Sequence, residues 1–329
     1  MVKTYTTNTF ASDYKDDYDE TKSFHRILFN NKKALQAREL TQLQTIIQEG
    51  ITRFGKNIFK EGAAISPGGI FINAKYRFAK LDTSINALPT GFNDLVGKSF
   101  TGQTSGITVQ ILEVLPAVDG DPATIYIQYL DTSTATAGTT SIALTPGEEL
   151  SEVQGVTKLT VQTTNTTLNP AVGMGTRISF GEADFFTNGF FVHAPLQHLI
   201  ISKYTSSITK TVGFLVTQDI VTPADDNSIY DNQGVNPNFT APGADRFRIQ
   251  LTLTTEDAIT ANQTFVYAAK VENSNIVHRV TGEDGYNRIN DLIAKRTDEE
   301  SGDYTVNPFH VQFTSHTTDK KKNPLTNKQ

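Results

Sequence analysis

LQARELTQLQTIIQEGITRF, at Leu35–Phe54, decides the fold class, because the sequence pattern changes abruptly where it ends. Apolar residues recur along it at spacings of 3, 4, 4 and 3, which is typical of one face of an α-helix. These residues are Leu40, Leu43, Ile47, Ile51 and Phe54. Such a stripe must be buried, either against the chain's own sheet or against the same helix of another subunit.

Two glycines bear on where this helix ends and on what it contacts. Gly55 follows the last apolar residue, where a C-terminal glycine is common, so the helix is predicted to end there. Gly50 lies inside the helix and costs about 1 kcal/mol relative to alanine. We interpret Gly50 as a mark of close contact with another backbone.

The pattern after the helix is that of strands. Short apolar runs between residues 56 and 82 are interrupted by Glu61-Gly62 and by SPGG at residues 66–69, which favours a hairpin with a glycine turn. The module 31–82 is therefore predicted to be a helix plus a hairpin. Residues 83–172 are rich in Thr, Gly and Ser and contain short strand-like runs, which indicate a small inserted β-sandwich or barrel.

The remaining chain also favours strands. Residues 173–313 are predicted to be a β-rich domain that includes a C-terminal helix around 286–296. Five phenylalanines of this domain are expected in the core of a sheet: Phe180, Phe185, Phe186, Phe190 and Phe191. The ends are an extended acidic arm at 1–30 and a polar tail at 314–329. The predicted fold class is thus α+β and mostly β, with one long N-terminal amphipathic helix and antiparallel sheets.

Composition excludes several classes of function. The 329 residues include 29 Lys and Arg and 35 Asp and Glu, a net charge of −6. Sequence-independent nucleic-acid binding needs clustered positive charge, so we expect no nucleic-acid partner. The absence of cysteine excludes disulfides, a thiol nucleophile and thiolate-bound zinc. Apolar runs are too short to span a bilayer, and the N-terminus lacks a signal-peptide pattern, so we expect no membrane insertion and folding in a cytoplasm.

Motifs for catalysis are missing from the sequence. It contains neither a glycine-rich phosphate loop nor a Gly-x-Ser-x-Gly or His-Glu-x-x-His motif, so we expect no enzyme activity and no cofactor. The best metal candidate is the loop that contains Asp225, Asp226 and Asp231, since Ca²⁺ prefers clustered oxygen ligands. Its spacing does not fit an EF-hand. Asp, Asn and Gly are also the usual residues of structural turns, which is the favoured interpretation.

The acidic arm has two interpretations as well. Tyr14 and Tyr18 alternate there with several carboxylates. Such an arm is either solvated or wraps a partner, and tyrosines suit the second role because they supply contact area at little entropic cost. The candidate interface residues are therefore Tyr14 and Tyr18 together with the helical stripe.

Several longer motifs together resemble a known family. They include DDYDETKSFHRILF, the helix with its continuation to SPGG, NGFFVHAPLQHLIISKY, TVGFLVTQDIV, DNQGVNPNFTAPGADRFRIQLTL and RTDEESGDYTVNPF. From about Tyr14 to Phe313 the chain looks like the virion structural proteins of tailed phages, notably T4-like cyanophages, which begin with a domain of unknown function. Where family members often carry a Pro-Gly turn before the helix, this chain has NNKK at residues 30–33, and asparagine also suits a turn or helix cap.

The resemblance implies a virion protein of the tail, made in the host cytoplasm and located in the baseplate or at a tail-fibre attachment point. Its implied partners are copies of itself, with a trimer as one option, and other tail proteins. The chain ends soon after the last motif, which favours an adaptor over a complete fibre. Two other classes stay open: a glycan-binding fibre module, which would need exposed aromatics on 83–172, and a polysaccharide depolymerase, which would need a pair of carboxylates in a groove.

Overall fold

A computed structural model describes residues 16–82, 92–131, 143–166, 169–230, 243–280 and 287–302. Within these ranges the protein is mostly β, with antiparallel sheets and two α-helices. The helices are α1 (Ala37–Ile58) and α2 (Asn287–Ser301). The strands are β1 (Ala63–Ser66), β2 (Ile70–Lys80), β3 (Ser99–Gly102), β4 (Thr108–Leu115), β5 (Thr124–Asp131), β6 (Glu149–Glu152), β7 (Lys158–Thr160), β8 (Val172–Phe180), β9 (Ala183–Thr187), β10 (Phe190–Ala194), β11 (Gln197–Ser202), β12 (Lys210–Val221), β13 (Arg246–Thr255), β14 (Thr264–Glu272) and β15 (Asn275–Arg279).

The strands form three sheets in the described part of the chain. Their orders are β1-β9-β10, β11-β8-β2-β5-β4-β3-β6-β7 and β13-β12-β14-β15. Strand β1 pairs with β9, while β2 pairs with β5 and β8, so the predicted hairpin between β1 and β2 is wrong. The glycines of SPGG serve a crossover instead: a Cβ on Gly68 would lie 2.4 Å from the carbonyl oxygen of Gly181.

Residues 83–172 contribute β3 to β7, which extend the sheet of β2. A bridge joins Leu81, just after β2, to Val161, just after β7, and the amide of Asp82 donates to the carbonyl of Thr160 at 2.8 Å. Strands β2 to β7 therefore form a closed ring of pairings. Their apolar side chains, such as Phe100 and Ile125, make a buried cluster of their own.

A second buried cluster joins the remaining strands. Most of its side chains come from β8 to β14, with Ala64 of β1 and Ile70 of β2, and aromatic rings pack within it. Phe180 and Phe214 meet edge to face, with their ring centroids 4.8 Å apart, and Phe185 lies 5.2 Å from Phe214. Of the five phenylalanines predicted as sheet core, Phe180, Phe185 and Phe186 are buried, Phe190 is half-buried and Phe191 is 45% exposed.

A separate compact unit begins at Ile289. Helix α2 provides its described residues, and Leu292 and Ile293 are exposed on it. The helix runs past the predicted segment 286–296 and ends at Ser301.

Candidate assembly surface

Helix α1 packs on the protein through its polar side. Its buried residues are Gln42, Thr45, Glu49, Thr52 and Gly55, and they lie opposite the apolar stripe on the helix. The hydroxyl of Thr52 and the side-chain amide of Gln48 both donate to the carbonyl oxygen of Gly189, at 3.0 and 3.1 Å. The helix is thereby held on the turn between β9 and β10.

Glycines allow this close packing. Asn188 and Gly189 both have positive φ, 52° and 84°, as a tight two-residue hairpin turn requires. A Cβ on Gly189 would lie 2.7 Å from Cγ2 of Thr52, and a Cβ on Gly55 would lie 2.3 Å from the ring of Phe186. Gly55 therefore belongs to a helix–sheet contact. The helix continues past it to Ile58, so the prediction that it ends at Gly55 is wrong.

The described part of the acidic arm lies along the same polar side. Asp16 is 1% exposed, and its carboxylate accepts hydrogen bonds from the Thr45 hydroxyl and from the amide of Tyr18. Arg53 donates to Glu20 at 2.7 Å. Tyr18 is half-buried and its hydroxyl accepts from Arg53 at 3.5 Å, so it contacts the chain's own helix. Tyr14 lies outside the described residues.

The apolar side of α1 faces solvent. The exposed fractions are 44% for Leu40, 57% for Ile47, 40% for Ile51 and 64% for Phe54, and Leu43 is half-buried. We call these five residues the α1 apolar surface. Of the two predicted ways to bury the stripe, the chain's own sheet is therefore not the one observed.

An apolar groove extends this surface at the start of α1. Leu28, Phe29, Leu35 and Leu40 line it, and the first three are 80%, 57% and 56% exposed. Without Leu43, the groove and the α1 apolar surface contain seven exposed side chains. At about 100 Å² for each, half of what a large buried side chain covers, they expose about 700 Å² together. The largest apolar patch of a typical monomer is about 300–600 Å², and larger patches mark interaction sites.

Gly50 lies on the same side of α1. It is exposed, and a Cβ added there would meet no atom within 4 Å. The expected close contact with another backbone is therefore not made by the described chain.

Asp225 and Asp226, two of the three residues proposed for a cation, lie in local turns. The Asp225 carboxylate accepts from the amide and hydroxyl of Thr222, and that of Asp226 accepts from the amide of Ser228. These hydrogen bonds hold the pKa values of both carboxyls below their usual range. Asp231 lies outside the described residues. The described ranges contain no group of three or more His, Asp or Glu that could hold a metal ion.

A polar cluster around the buried Lys80 lies between the ring and the segment after β11. The Lys80 ammonium is 3.9 Å from the ring centroid of Tyr204 and also donates to Asn169. Asp121 accepts from Lys203 at 2.6 Å and from the Tyr204 hydroxyl at 2.5 Å. Burial lowers the pKa of the Lys80 ammonium. Burial, and to a smaller extent the hydrogen bond to Asp121, raises the pKa of Tyr204 to about 12. Lys80, Asp121, Lys203 and Tyr204 each have a polar partner. The cluster therefore joins the ring to the segment after β11.

Aromatic residues of the 83–172 segment do not form an exposed platform where they are described. Phe100 and Tyr126 are fully buried, and Tyr129 is half-buried. The feature that a glycan-binding module would need is thus missing from the described part of this segment. Among the described helices, none is both long and apolar enough to cross a membrane.

Sequence reasoning missed the anchor of α1. The Asn188-Gly189 dipeptide between two aromatic runs is a strong hairpin signal, and it could have been used. Its contact with Thr52 across more than a hundred residues has no sequence signal.

Comparison with protein families gives one match. A family described as a domain of unknown function, DUF4815, matches residues 12–85 and 178–327. These segments make up more than half of the chain, so the protein belongs to this family. The matched segments contain α1 and the hairpin turn on which it packs, whereas residues 86–177 are not matched. Comparisons with curated proteins and with solved structures give no match.

Proposed function

We propose that the protein is a structural component of a phage tail, in the baseplate or at a fibre attachment point, and that it acts by protein–protein assembly. The α1 apolar surface supports this function most directly, because it is large, exposed and formed by a helix that is already anchored. The place in a virion is supported by the sequence resemblance to tailed-phage proteins. Copies of the chain and other tail proteins are the proposed partners, and neither a cofactor nor catalysis is part of the proposal.

The anchoring of α1 explains why this surface suits assembly. Thr52 and Gln48 fix the helix to Gly189, and Thr45 and Arg53 fix the arm to the helix. A preformed surface loses little conformational freedom when it binds, so more of the interaction energy appears as affinity. Arg38 and Arg53 of α1 pair with Asp17 and Glu20 of the arm, and the α1 apolar surface itself carries no charged side chain.

The finer architecture is part of the same proposal. We propose that α1 is the long amphipathic helix of the N-terminal module and that 83–172 is a small barrel inserted into the family fold. The ring of pairings from β2 to β7 supports the barrel, as does the family match, which stops at residue 85 and resumes at 178.

Particle assembly tests the function. In the phage that encodes the chain, deletion of the gene should give particles without complete baseplates or fibres in electron micrographs. Complementation with the Ile47→Glu variant should fail, because it places a charge in the middle of the α1 apolar surface. Val156→Glu is the matched control, since Val156 is 96% exposed and distant in sequence from α1. Complete particles without the gene product would refute the proposal.

A further inference from the structure

We infer that the α1 apolar surface binds a second copy of this chain, with the two α1 helices antiparallel and Ile47 close to the two-fold axis. This inference rests on the proposed assembly function and names the partner, which that proposal leaves open. Four features of α1 carry it: the symmetry of the stripe, Gly50, the charges on one flank and the exposed area.

The stripe is symmetric about its central residue. Counting outward from Ile47, apolar residues occur four and seven positions away in both directions: Leu43 and Leu40 towards the N-terminus, Ile51 and Phe54 towards the C-terminus. An antiparallel second copy therefore places Leu40 opposite Phe54 and Leu43 opposite Ile51, and Ile47 meets its own counterpart. A two-fold interface requires this kind of self-complementary patch.

Gly50 provides space for such a contact. It lies three residues after Ile47 and leaves open space where a side chain would be. In the antiparallel arrangement, position 50 of one copy lies opposite position 44 of the other. Leu43 of the second copy is therefore next to this space. A large side chain beside a missing one allows two helices to interdigitate at close range. The glycine that lacks a reason within the chain has one in this dimer.

Charges on the Gly50 side of the helix favour the antiparallel direction. At 100° per residue, Glu39 and Arg53 lie on this flank, at opposite ends of the stripe. Arg53 also pairs with Glu20 and Glu49 of its own chain, and its side chain stays 49% exposed beside them. A two-fold axis perpendicular to the helices brings each flank against its own counterpart, so Glu39 of one copy faces Arg53 of the other. A parallel pair would bring this flank against the other one, which carries the uncharged Thr41, Gln44 and Gln48. Antiparallel helix dipoles add a further favourable term.

The exposed area is sufficient for such a dimer. The groove and the α1 apolar surface expose about 700 Å², and a standard stable interface buries about 800 Å² on each partner. Polar residues at the rim supply the remaining area.

Light scattering across a concentration series tests the partner. The wild-type chain should be a dimer, Ile47→Glu should be a monomer with an unchanged circular dichroism spectrum, and Val156→Glu should remain a dimer. Gly50→Ala should raise the dissociation constant at least tenfold although alanine favours the helix. Because these effects on helix and dimer have opposite signs, a loss of dimer cannot be attributed to unfolding.

Cysteine crosslinking tests the direction, and the cysteine-free chain makes it a clean experiment. Leu40→Cys and Phe54→Cys are prepared separately and then mixed under mild oxidation. An antiparallel dimer gives a disulfide between the two variants, and much less when either variant is oxidised alone. A parallel dimer or a trimer around α1 reverses this result, because each variant then crosslinks to itself.

The outcomes separate this inference from the proposed function. A monomeric wild-type chain, a trimer or self-crosslinking single variants would overturn the antiparallel dimer. If the chain is monomeric and Ile47→Glu still prevents particle assembly, the surface binds another tail protein and the proposed function stands. If the dimer forms as described and particles assemble without the protein, the dimer stands and the tail function is refuted.

Discussion

Gly50 and Gly55 lie in the same helix, and their surroundings are opposite. Gly50 faces open space, whereas a Cβ at Gly55 would collide with the ring of Phe186. The sequence predicted the reverse, with Gly50 at a close contact with another backbone and Gly55 at the end of the helix. Only the packing of β9 against α1 distinguishes them.

Alanine at these two positions is expected to have opposite effects on stability. Under conditions where the chain is monomeric, Gly50→Ala should raise the free energy of unfolding by about 1 kcal/mol, because alanine restricts the unfolded backbone and favours helix. Gly55→Ala should lower it by about 1–3 kcal/mol through overpacking. Urea denaturation followed by circular dichroism measures both. Equal effects of the two substitutions would contradict this assignment.

Glu148 is a buried carboxylate that holds two loops of the ring together. It is 3% exposed and accepts hydrogen bonds from the amides of Thr104, Ser105 and Thr145. The Ser105 hydroxyl adds a fourth donor. A side chain at Gly102 would occupy the place of this carboxylate, which explains the glycine.

Removal of this carboxylate should destabilise the ring. Glu148→Ala is expected to cost about 3 kcal/mol, since four partly buried hydrogen bonds lose their charged acceptor. The neighbour Glu149 is the control: it makes an exposed ion pair with Lys158 at 2.7 Å, so Glu149→Ala should cost no more than about 1 kcal/mol. Urea midpoints of the two variants decide between a structural role for Glu148 and an incidental one.

At the scale of elements, periodicity predicted the position of a helix but not the direction in which it faces. The apolar spacing led to residues 35–54, and α1 spans Ala37–Ile58. A stripe of this kind normally faces the core. Here Thr52, Gln48 and Thr45 find partners on the protein, and the apolar side is left outside. Those partners, Gly189 and Asp16, are distant in sequence, so no local pattern reveals them.

The pairing of the strands was also not predictable from the sequence. The runs of β1 and β2 were recognisable, and a glycine-rich link between them suggested a hairpin. Their actual partners are β9 for β1 and β5 and β8 for β2. Pairing over such distances depends on the packing of the whole sheet, whereas turn residues report only local geometry.

The contact between the arm and α1 makes a prediction at this scale. Asp16→Ala should release the arm, because Thr45 and the amide of Tyr18 lose their acceptor. Hydrogen exchange at residues 17–22 should accelerate at least tenfold. Glu20→Ala is the control, since the Glu20 side chain is 71% exposed in its pair with Arg53 and exposed pairs contribute little. Equal exchange in both variants would show that Asp16 does not hold the arm.

On the scale of the whole molecule, the Asp121 cluster joins the ring to the segment after β11. Lys203 and Tyr204 donate to Asp121, and the Tyr126 hydroxyl donates to the carbonyl of Lys203 at 3.3 Å. The rings of Tyr76 and Tyr126 stack beside this cluster with centroids 4.7 Å apart. The ring and the remaining strands are therefore linked by side chains as well as by the pairing of β2.

This link should make stability depend on pH in a defined direction. Burial acts to raise the pKa of the Asp121 carboxyl, but the hydrogen bonds from Lys203 and Tyr204 outweigh it, so the pKa lies below the usual 3.8. A carboxyl whose pKa is lower in the folded state contributes stability above its unfolded pKa, and the contribution is lost as the pH falls through the folded pKa. The destabilisation caused by Asp121→Asn should therefore be full at pH 7 and shrink below pH of about 4.

Urea midpoints of the wild type and the variant, measured between pH 7 and pH 3, test this prediction. Asp298→Asn is the control substitution, because Asp298 is an exposed residue on α2, and it should change the urea midpoint little at pH 7. Tyr204 makes stability depend on pH in the alkaline range, because its pKa is raised to about 12. The folded state then keeps a proton that the unfolded state loses near pH 10, so stability should fall between about pH 10 and 12. Tyr204→Phe should remove this part of the loss of stability at alkaline pH. If the variant loses as much stability as the wild type, groups other than Tyr204 cause the loss.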